Sequence, residues 1–525
     1  MGQELFTAID SDGSPQLGPE RPTRRSWVDW LRPVLPQSAT ARIWLALLAF
    51  AWVWLGMLDV SSLSAPVDNI EQLTWVRSLE WGYYKHPPLP TWLLWPVVKL
   101  LGLRPDATYW LGACVTLASL GLMTHWLTRM RGARFALLAL LAVLCITFYN
   151  GRLYYYNHNT VMFMFVVGSA WASWQAFRLR SLNWWALVGL MLGLGGLSKY
   201  QIAVAAVSVA VVWIQQRAWR DSVHRRGAAL AVVTALLVMA PHLAWLMRND
   251  FAPIHYAMNS SLGVDMSWSK RPAEAAHWLL DLVFNRELPA WLLLSYALAS
   301  SGRSGRRAAA LEPRHDSADP TQLSRASLLS FGLVPLTMMP AMGLLAGVDL
   351  QLQWGTAFAA FTVPAVLELL SMRGMVFSKQ ALPRAFNAFL VLQLILIGVN
   401  LLTSPLGPQS LESKHWCRFD SVGLARAIAG PSSEDAGGPI HIIEGPARVA
   451  GALALQLPGH PLVLIDGNPA ISPWVSKEAL RLCTRLQLDV AVGPHDQSWL
   501  AVGPQFPDIF WRVIIPGDSD RPCPA

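Results

Sequence analysis

The chain has 525 residues, 53% of them hydrophobic and only 14% charged, with a mean hydropathy of +0.35. Soluble proteins carry about a quarter charged residues, so this composition excludes a water-soluble globular enzyme and indicates a polytopic membrane protein. The net charge of +8 sits in short loops between apolar runs, where it acts as an orientation signal and not as a nucleic-acid surface.

Residues 1–40 are polar and Pro-rich, with Arg21, Arg24, Arg25 and Arg32 ahead of the first apolar run. No small-residue cleavage site follows that run, so an uncleaved anchor behind a cytoplasmic tail is expected. Spanning helices need roughly 20 apolar residues. Spans are predicted near 42–59, 107–128, 135–150, 159–177, 184–198, 200–216, 228–247, 280–301, 326–346, 355–371 and 385–403, about eleven in all. With the N-terminus inside, Arg129/Arg131/Arg134, Arg178/Arg180, Arg217/Arg220/Arg225/Arg226, Arg303/Arg306/Arg307/Arg314 and Arg373/Lys379/Arg384 all fall on the cytoplasmic side, as the positive-inside rule requires. The loop 61–90, Asn157–Asn159, the loop 248–274 and the C-terminal segment then face outward. The stretch 303–323 reads as a flexible cytoplasmic loop. Residues 41–403 form the membrane domain. Residues 404–525 form a small outer α/β domain, with strands near Ile440–Glu444, Leu462–Asp466, Asp489–Val492 and Trp511–Ile515 and helices over Ala447–Gln456 and Ser476–Leu486. Gly445-Pro446, Asp466-Gly467 and Gly493-Pro494 end its strands. Cys114 and Cys145 read as small buried hydrophobes, whereas two of Cys417, Cys483 and Cys523 could pair in an oxidising compartment.

The stretch with most chemistry is Asp68 to Trp92. Asp68, Glu71, Gln72 and Trp75 share one face if this piece is helical, since they fall at i, i+3, i+4 and i+7. A solvated loop face is the plain alternative. Pro87-Pro88 stops any helix and makes Trp81–Pro88 a rigid turn back to the bilayer. Lys85 would lie at phosphate depth, either snorkelling or meeting a phosphate. Further along, Asn157, His158 and Asn159 can hydrogen-bond sugar hydroxyls or cap the span that begins at Thr160. His242 after Pro241 and the Lys199-Tyr200 pair stand at span ends, as site residues or as a buried histidine and a helix anchor. Gln351, Gln353 and Trp354 occupy a short outer loop where Trp354 could stack on a sugar or prenyl unit.

The register of Asp68, Trp75, Leu79, Trp81-Gly82-Tyr83-Tyr84 and His86-Pro87-Pro88-Leu89 resembles membrane glycosyltransferases of the dolichyl-phosphate-mannose protein mannosyltransferase type, including the bacterial relatives that modify lipid A with aminoarabinose or galacturonate. The resemblance continues at Tyr156–Thr160, Gly196–Tyr200 and Pro241–Trp245, and covers roughly residues 40–400. It implies a mainly α, polytopic GT-C fold with surface helices in the first outer loop, and transfer of a sugar from a polyprenyl phosphate. The family's first-loop acid matches Asp68. Asn69 stands where many relatives have Glu, and Glu71 is the acid left to share that role. The position of Lys85 is lysine in some relatives, where it is expected to contact the donor phosphate.

The residue chemistry agrees. Displacing a phosphate from an anomeric carbon passes through an oxocarbenium-like state. The leaving phosphate needs positive charge, from Lys85 with Arg152 or Arg248, and the acceptor hydroxyl needs a base, Asp68, on the opposite face. The expected catalytic residues are therefore Asp68, Glu71 and Lys85. The expected binding residues are Tyr84, His86, Arg152, Asn157, His158, Asn159, Lys199, Tyr200, His242, Arg248 and Trp354. Attack opposite the phosphate inverts the anomeric centre. No cofactor is expected; a divalent ion at Asp68 and Glu71 lacks a third ligand, and the strings Asp10-Ser11-Asp12 and Asp518-Ser519-Asp520 lie in polar termini. The expected partners are a polyprenyl-phosphate sugar, membrane lipids and a glycan, lipid or protein acceptor, at the periplasmic face of a bacterial inner membrane. The rival reading is a transporter or flippase of lipid-linked sugars. That class usually holds its polar groups at the bilayer midplane, in paired repeats, and no repeat is evident here.

Overall fold

The computed structural model describes residues 38–263, 266–299, 321–375, 377–408, 416–490, 498–516 and 523. The N-terminal tail, the loop 303–323 up to residue 320, Gly493-Pro494 and both Asp-Ser-Asp strings lie outside the described residues. Residues 51–525 form one compact unit.

Each of the eleven expected spans coincides with a helix. Six are long and apolar enough to cross a membrane by themselves: Thr40–Val60, Pro105–Arg131, His158–Leu179, Ser222–Arg248, Gln322–Ala346 and Ala381–Thr403. The chain is a multi-pass membrane protein. His158–Leu179 is the central helix, 83% buried over its apolar window, whereas Ser222–Arg248 and Ala381–Thr403 are only 17% and 11% buried. Side chains such as Leu237 and Leu394 therefore point outward without a protein partner, as they would toward lipid.

Of the other five, Leu182–Ser198 covers its run completely and four are shorter than their apolar runs. The run 135–150 is helical only over Ala133–Val143. Asn150, fully buried, donates to the Leu144 carbonyl (3.0 Å) and holds residues 144–157 as irregular backbone. The run 280–301 begins as a π-turn over Asp281–Arg286 and becomes α-helix only at Leu288–Leu298. The run 355–371 begins as 3-10 turns and becomes α-helix at Thr362–Met372. Tyr149 serves the backbone polar groups freed there: its hydroxyl donates to the Thr356 carbonyl (2.6 Å) and accepts from the Ala360 N–H (3.0 Å). A further apolar helix, Leu89–Leu101, was not anticipated; Pro96 inside it and only 13 residues hide it from a span-length search.

Between the first two long helices the chain makes two short ones, Val67–Trp75 and Leu89–Leu101, as surface helices in the first loop. Asn69 is fully buried and fixes the first of these. Its amide donates to Thr108 Oγ1 (2.7 Å) and the Tyr154 carbonyl (2.8 Å), and its oxygen accepts from the Tyr156 N–H (3.0 Å). Gly82 lets the following turn lie on Trp245, whose ring would be 2.4 Å from any added Cβ.

The C-terminal part is a mixed five-stranded sheet in the order β2-β1-β3-β5-β4, with β1 Ile442–Gly445, β2 Leu462–Ile465, β3 Arg485–Val490, β4 Leu500–Ala501 and β5 Ile509–Ile514. β1 pairs parallel with β2 and β3; β5 pairs antiparallel with β3 and β4. Helices Ser421–Ala436, Ala447–Gln456 and Lys477–Leu482 accompany it. The expected helix over 476–486 is cut short because Arg485 and Gln487 are drawn into β3 to meet Glu444 on β1 (3.3 and 2.8 Å). Cys483 and Cys523 form a disulfide, of which Cys417 is not part. Cys145 is buried as expected, but Cys114 is exposed on the outer face of its helix.

The sheet domain shares its apolar core with the first loop. Trp75 and Tyr83 are buried among Ile442, Leu453, Leu486 and Trp511. Gly451 makes the contact close: a Cβ there would sit 2.5 Å from Ile70 Cγ2. Gly451→Val is expected to push the two helices apart and cost about 1–3 kcal/mol. Thermal melting of the purified protein in detergent, together with proteolysis at the junction, checks this; an unchanged melt would contradict the close packing.

Candidate active site

The helix Val67–Trp75 turns its polar face inward, as the i, i+3, i+4, i+7 spacing requires. Asp68 Oδ2 accepts from Asn157 Nδ2 at 2.8 Å. Asn157 also caps the central helix, its Oδ1 accepting from the Thr160 N–H (2.9 Å) and hydroxyl (3.1 Å). The cap reading of Asn157 holds, and the cap fixes the amide that meets Asp68. Gln72 accepts from Thr91 Oγ1 (2.9 Å), which ties the two first-loop helices together.

Glu71 Oε1 meets Lys85 Nζ at 2.7 Å, with both side chains largely buried. Burial alone pushes the Glu71 carboxyl up and the Lys85 ammonium down. The contact opposes both effects, and Glu71 holds Lys85 protonated above its ordinary range. The Lys85 ammonium also lies 5.3 Å from the centre of the Tyr256 ring. His86 packs on His158 with ring centres 4.0 Å apart. Burial, then His158, Lys85 and Lys199, hold His86 well below its usual pKa, so it is a neutral imidazole.

Lys199 follows the helix Leu182–Ser198 in extended backbone, which turns its side chain inward. Its Nζ donates to Asn159 Oδ1 (2.8 Å) and lies 5.7 Å from the centre of the Trp354 ring. Burial lowers its pKa to about 7, Asp68 pulling it up and Lys85 pushing it further down. Tyr200 meets His242 Nε2 at 2.8 Å, and His242 Nδ1 meets the Trp81 carbonyl at 2.6 Å. A carbonyl only accepts, so Nδ1 carries the proton and Nε2 accepts from the Tyr200 hydroxyl. His242 is thus a positioning residue that joins the first-loop turn to Tyr200.

A cavity of about 430 Å³ gathers these groups. Asp68, Lys85, His86, Asn157, His158, Asn159, Lys199, Tyr200 and Trp354 line it, nine of the fourteen residues singled out in the sequence. Glu71 stands behind Lys85, and Tyr84 stands edge-on to Trp75 and Tyr256, both with ring centres at 6.0 Å. Arg248 is exposed and lines neither of the two site cavities. Arg152 lines a second cavity of about 210 Å³ that also reaches Asp68. Sequence reasoning missed Tyr256, Ser260, Ser261, Met338, Met339 and Met342 in the larger cavity. The three methionines sit in an apolar run whose only signal was span-like hydropathy, and Tyr256 belongs to a loop placed on the right face but not resolved into residues. Among the described residues no group of three or more His, Cys, Asp or Glu is arranged to hold a metal ion.

Residues 85–245 match the family of dolichyl-phosphate-mannose-protein mannosyltransferases; Asp68 and Glu71 lie just before the matched segment. The lipid A galacturonosyltransferase RgtD of Rhizobium johnstonii is 23% identical over 225 residues, 40% of this chain and 45% of that protein. The lipopolysaccharide core galacturonosyltransferase RgtA of the same organism is 24% identical over 220 residues, 40% and 42% of the two chains. The chain thus spans less than half the length of these curated relatives. The crystal structure of ArnT from Cupriavidus metallidurans bound to undecaprenyl phosphate superposes with a TM-score of 0.54 at 14% identity, over 92% of this chain and all of that one. The family resemblance read from the sequence holds, and the fold is the GT-C fold expected from it.

The Glu71–Lys85 contact makes a prediction about stability. Glu71→Gln leaves the Lys85 charge without its counter-charge and is expected to cost about 3 kcal/mol, and the double variant with Lys85→Gln recovers most of that. A double-mutant cycle by thermal melting measures the coupling. Losses in the two single variants that simply add in the double variant would show that the pair is not coupled.

Proposed function

We propose that the protein is an inverting glycosyltransferase that moves a sugar from a polyprenyl phosphate to an acceptor oxygen at the periplasmic face of a bacterial inner membrane. The observation that carries this is the larger cavity. Its lining combines two lysines, Lys85 and Lys199, and the Asp68 carboxylate with the apolar side chains of Met338, Met339, Met342 and Leu262. An amphipathic lipid phosphate needs both kinds of lining, apolar side chains for its prenyl chain and cations for its headgroup.

Asp68, oriented by Asn157, takes the proton of the attacking acceptor oxygen. The new bond forms at the anomeric carbon as the bond to the phosphate oxygen breaks, and the polyprenyl phosphate leaves with the bonding pair. Lys85, kept charged by Glu71, faces the charge that develops on that phosphate, and Lys199 supports it. His86 and the side chains of Asn159 and Tyr200 offer hydrogen bonds to the sugar. The reaction is read as independent of a resident metal, because the Lys85 ammonium occupies the place beside Glu71 where a divalent ion would need to sit. The relatives named as galacturonosyltransferases make galacturonate the first sugar to test and lipid A or core glycan the first acceptors. The lysine and arginine distribution supports an inward N-terminus and an outward site. The C-terminal α/β domain, on the same side, is read as part of acceptor recognition. The rival transporter reading gives Asp68 no bond-making role.

Asp68→Asn is expected to lower transfer from polyprenyl-phosphate galacturonate about 10²–10⁴-fold while leaving undecaprenyl phosphate binding near wild type. Wild-type turnover is expected to persist in EDTA in the same assay. Near-normal transfer by the variant would reject Asp68 as the base, whereas no transfer by wild type with any acceptor would favour the transporter.

Lys199 adds a pH dependence. Its pKa is lowered to about 7, so it is charged below that pH and neutral above it. Donor kcat/KM should therefore fall as pH rises through about 7, by up to about tenfold per unit, and Lys199→Gln should be low and flat over the same range. A rising or level wild-type profile would remove Lys199 from donor binding.

A further inference from the structure

Asp68 is shared between two cavities. Asn157 and Gln353 are shared with it, so the three side chains form the partition between a larger cavity holding Lys85 and Lys199 and a smaller one holding Arg152. The smaller cavity differs in chemistry. It has no lysine and no run of methionines; its walls carry the hydroxyls of Thr116, Tyr155 and Thr356, with Arg152 over the rings of Phe148 and Tyr155 at 5.7 and 5.5 Å. Among the described residues the Arg152 guanidinium has no carboxylate partner, whereas Arg286 nearby is paired with Asp281 at 3.0 Å. A half-buried guanidinium with free donors, in a cavity lined by hydroxyls, is built to receive an anion.

The C-terminal part contributes one wall residue to this cavity. Trp416 lines it and is anchored to the first loop, its indole N–H donating to the Ala65 carbonyl at 2.8 Å, while the Leu63 N–H donates to the Cys417 carbonyl at 2.8 Å. Arg448 of the sheet domain lies over the Trp416 ring at 5.8 Å and helps to hold the indole, without itself lining the cavity. A flat indole beside threonine and tyrosine hydroxyls suits a sugar ring, and the Arg152 guanidinium suits a negative charge on it.

We propose that the cavity between Arg152 and Trp416 is the acceptor subsite, and that it selects an anionic glycan, one carrying a phosphate or carboxylate beside the oxygen that attacks. This rests on the glycosyltransferase reading given above and names the acceptor class for it. The acceptor oxygen reaches the Asp68 carboxylate from this side while the donor reaches it from the other. The anion on Arg152 sets the depth and angle of the acceptor. Arg152 therefore serves the acceptor, and Lys85 and Lys199 serve the donor.

The test uses the full-length protein in detergent, with polyprenyl-phosphate galacturonate as donor and three acceptors: diphosphorylated lipid A, the same lipid A after phosphatase treatment, and the phosphatase-treated lipid carrying a carboxylate-bearing core sugar. Wild type is expected to use at least one of the two anionic acceptors about tenfold better than the neutral one, and which one it prefers distinguishes phosphate from carboxylate. Arg152→Gln is expected to raise the KM of that acceptor about tenfold and erase the preference, with the donor KM within about twofold of wild type; Arg152→Lys should recover part of the loss. Undecaprenyl phosphate binding by Arg152→Gln at wild-type affinity serves as the check on folding. An unchanged acceptor KM in Arg152→Gln, a rise in donor KM equal to that in acceptor KM, or equal use of neutral and anionic acceptors by wild type would each overturn the proposal while leaving the transferase reading intact. Release of no polyprenyl phosphate with any acceptor would overturn both.

Discussion

Two opposite charges held out of water, Glu71 and Lys85 at 2.7 Å, set the geometry of this protein. Neither could be buried alone: an unpaired ion in a low-dielectric setting costs several kcal/mol or loses its charge. Pairing them fastens the Trp81–Pro88 turn to the helix Val67–Trp75, and the tandem prolines then direct the chain into the helix Leu89–Leu101. The same pairing keeps the lysine cationic with its ammonium directed into the larger cavity. A structural requirement and a chemical one are thus met by one contact.

The first loop is held from both sides. Toward the membrane, Asn69 spends all three of its hydrogen-bonding groups on the helix Pro105–Arg131 and the irregular segment 144–157, and Gly82 lies against Trp245. Toward the sheet domain, Trp75 and Tyr83 are part of the apolar core. A loop fastened this way has little freedom, which suits the base proposed at Asp68, whose position must be held closely for proton transfer. It also explains why Asn69, directly after the proposed base, is not an acid. The position is fully buried and needs a group that both donates and accepts, and a carboxylate there could not donate to Thr108 and the Tyr154 carbonyl.

The irregular backbone at 144–157 and 281–287 and the 3-10 turns before Thr362 fall where apolar composition alone suggests continuous helix. Backbone polar groups can leave helix inside an apolar protein only where other groups serve them, and Tyr149 and Asn150 do so here. Breaking the helices opens room beside Asp68, so the smaller cavity is lined by Phe148, Tyr149, Arg152 and Tyr155 from one of these segments and by Gln353 and Thr356 from another.

Much was legible from residues alone. Apolar runs mark eleven helices because burying or lipid-facing a 20-residue segment demands that composition, and the spacing of Asp68, Glu71, Gln72 and Trp75 marks a helical face because a 3.6-residue period leaves no other arrangement. The rigid turn at Pro87-Pro88 follows from proline geometry. Local chemistry could not assign Arg152 and Lys199 to different cavities, reduce His242 to a support for Tyr200, leave Arg248 outside, or pair Cys483 with Cys523 in preference to Cys417. Each of these depends on which distant segments are brought side by side, and periodicity carries no information about partners tens or hundreds of residues away. Packing supplies it: the helix crossings and the shared core around Trp75 decide which polar side chains face each other across Asp68.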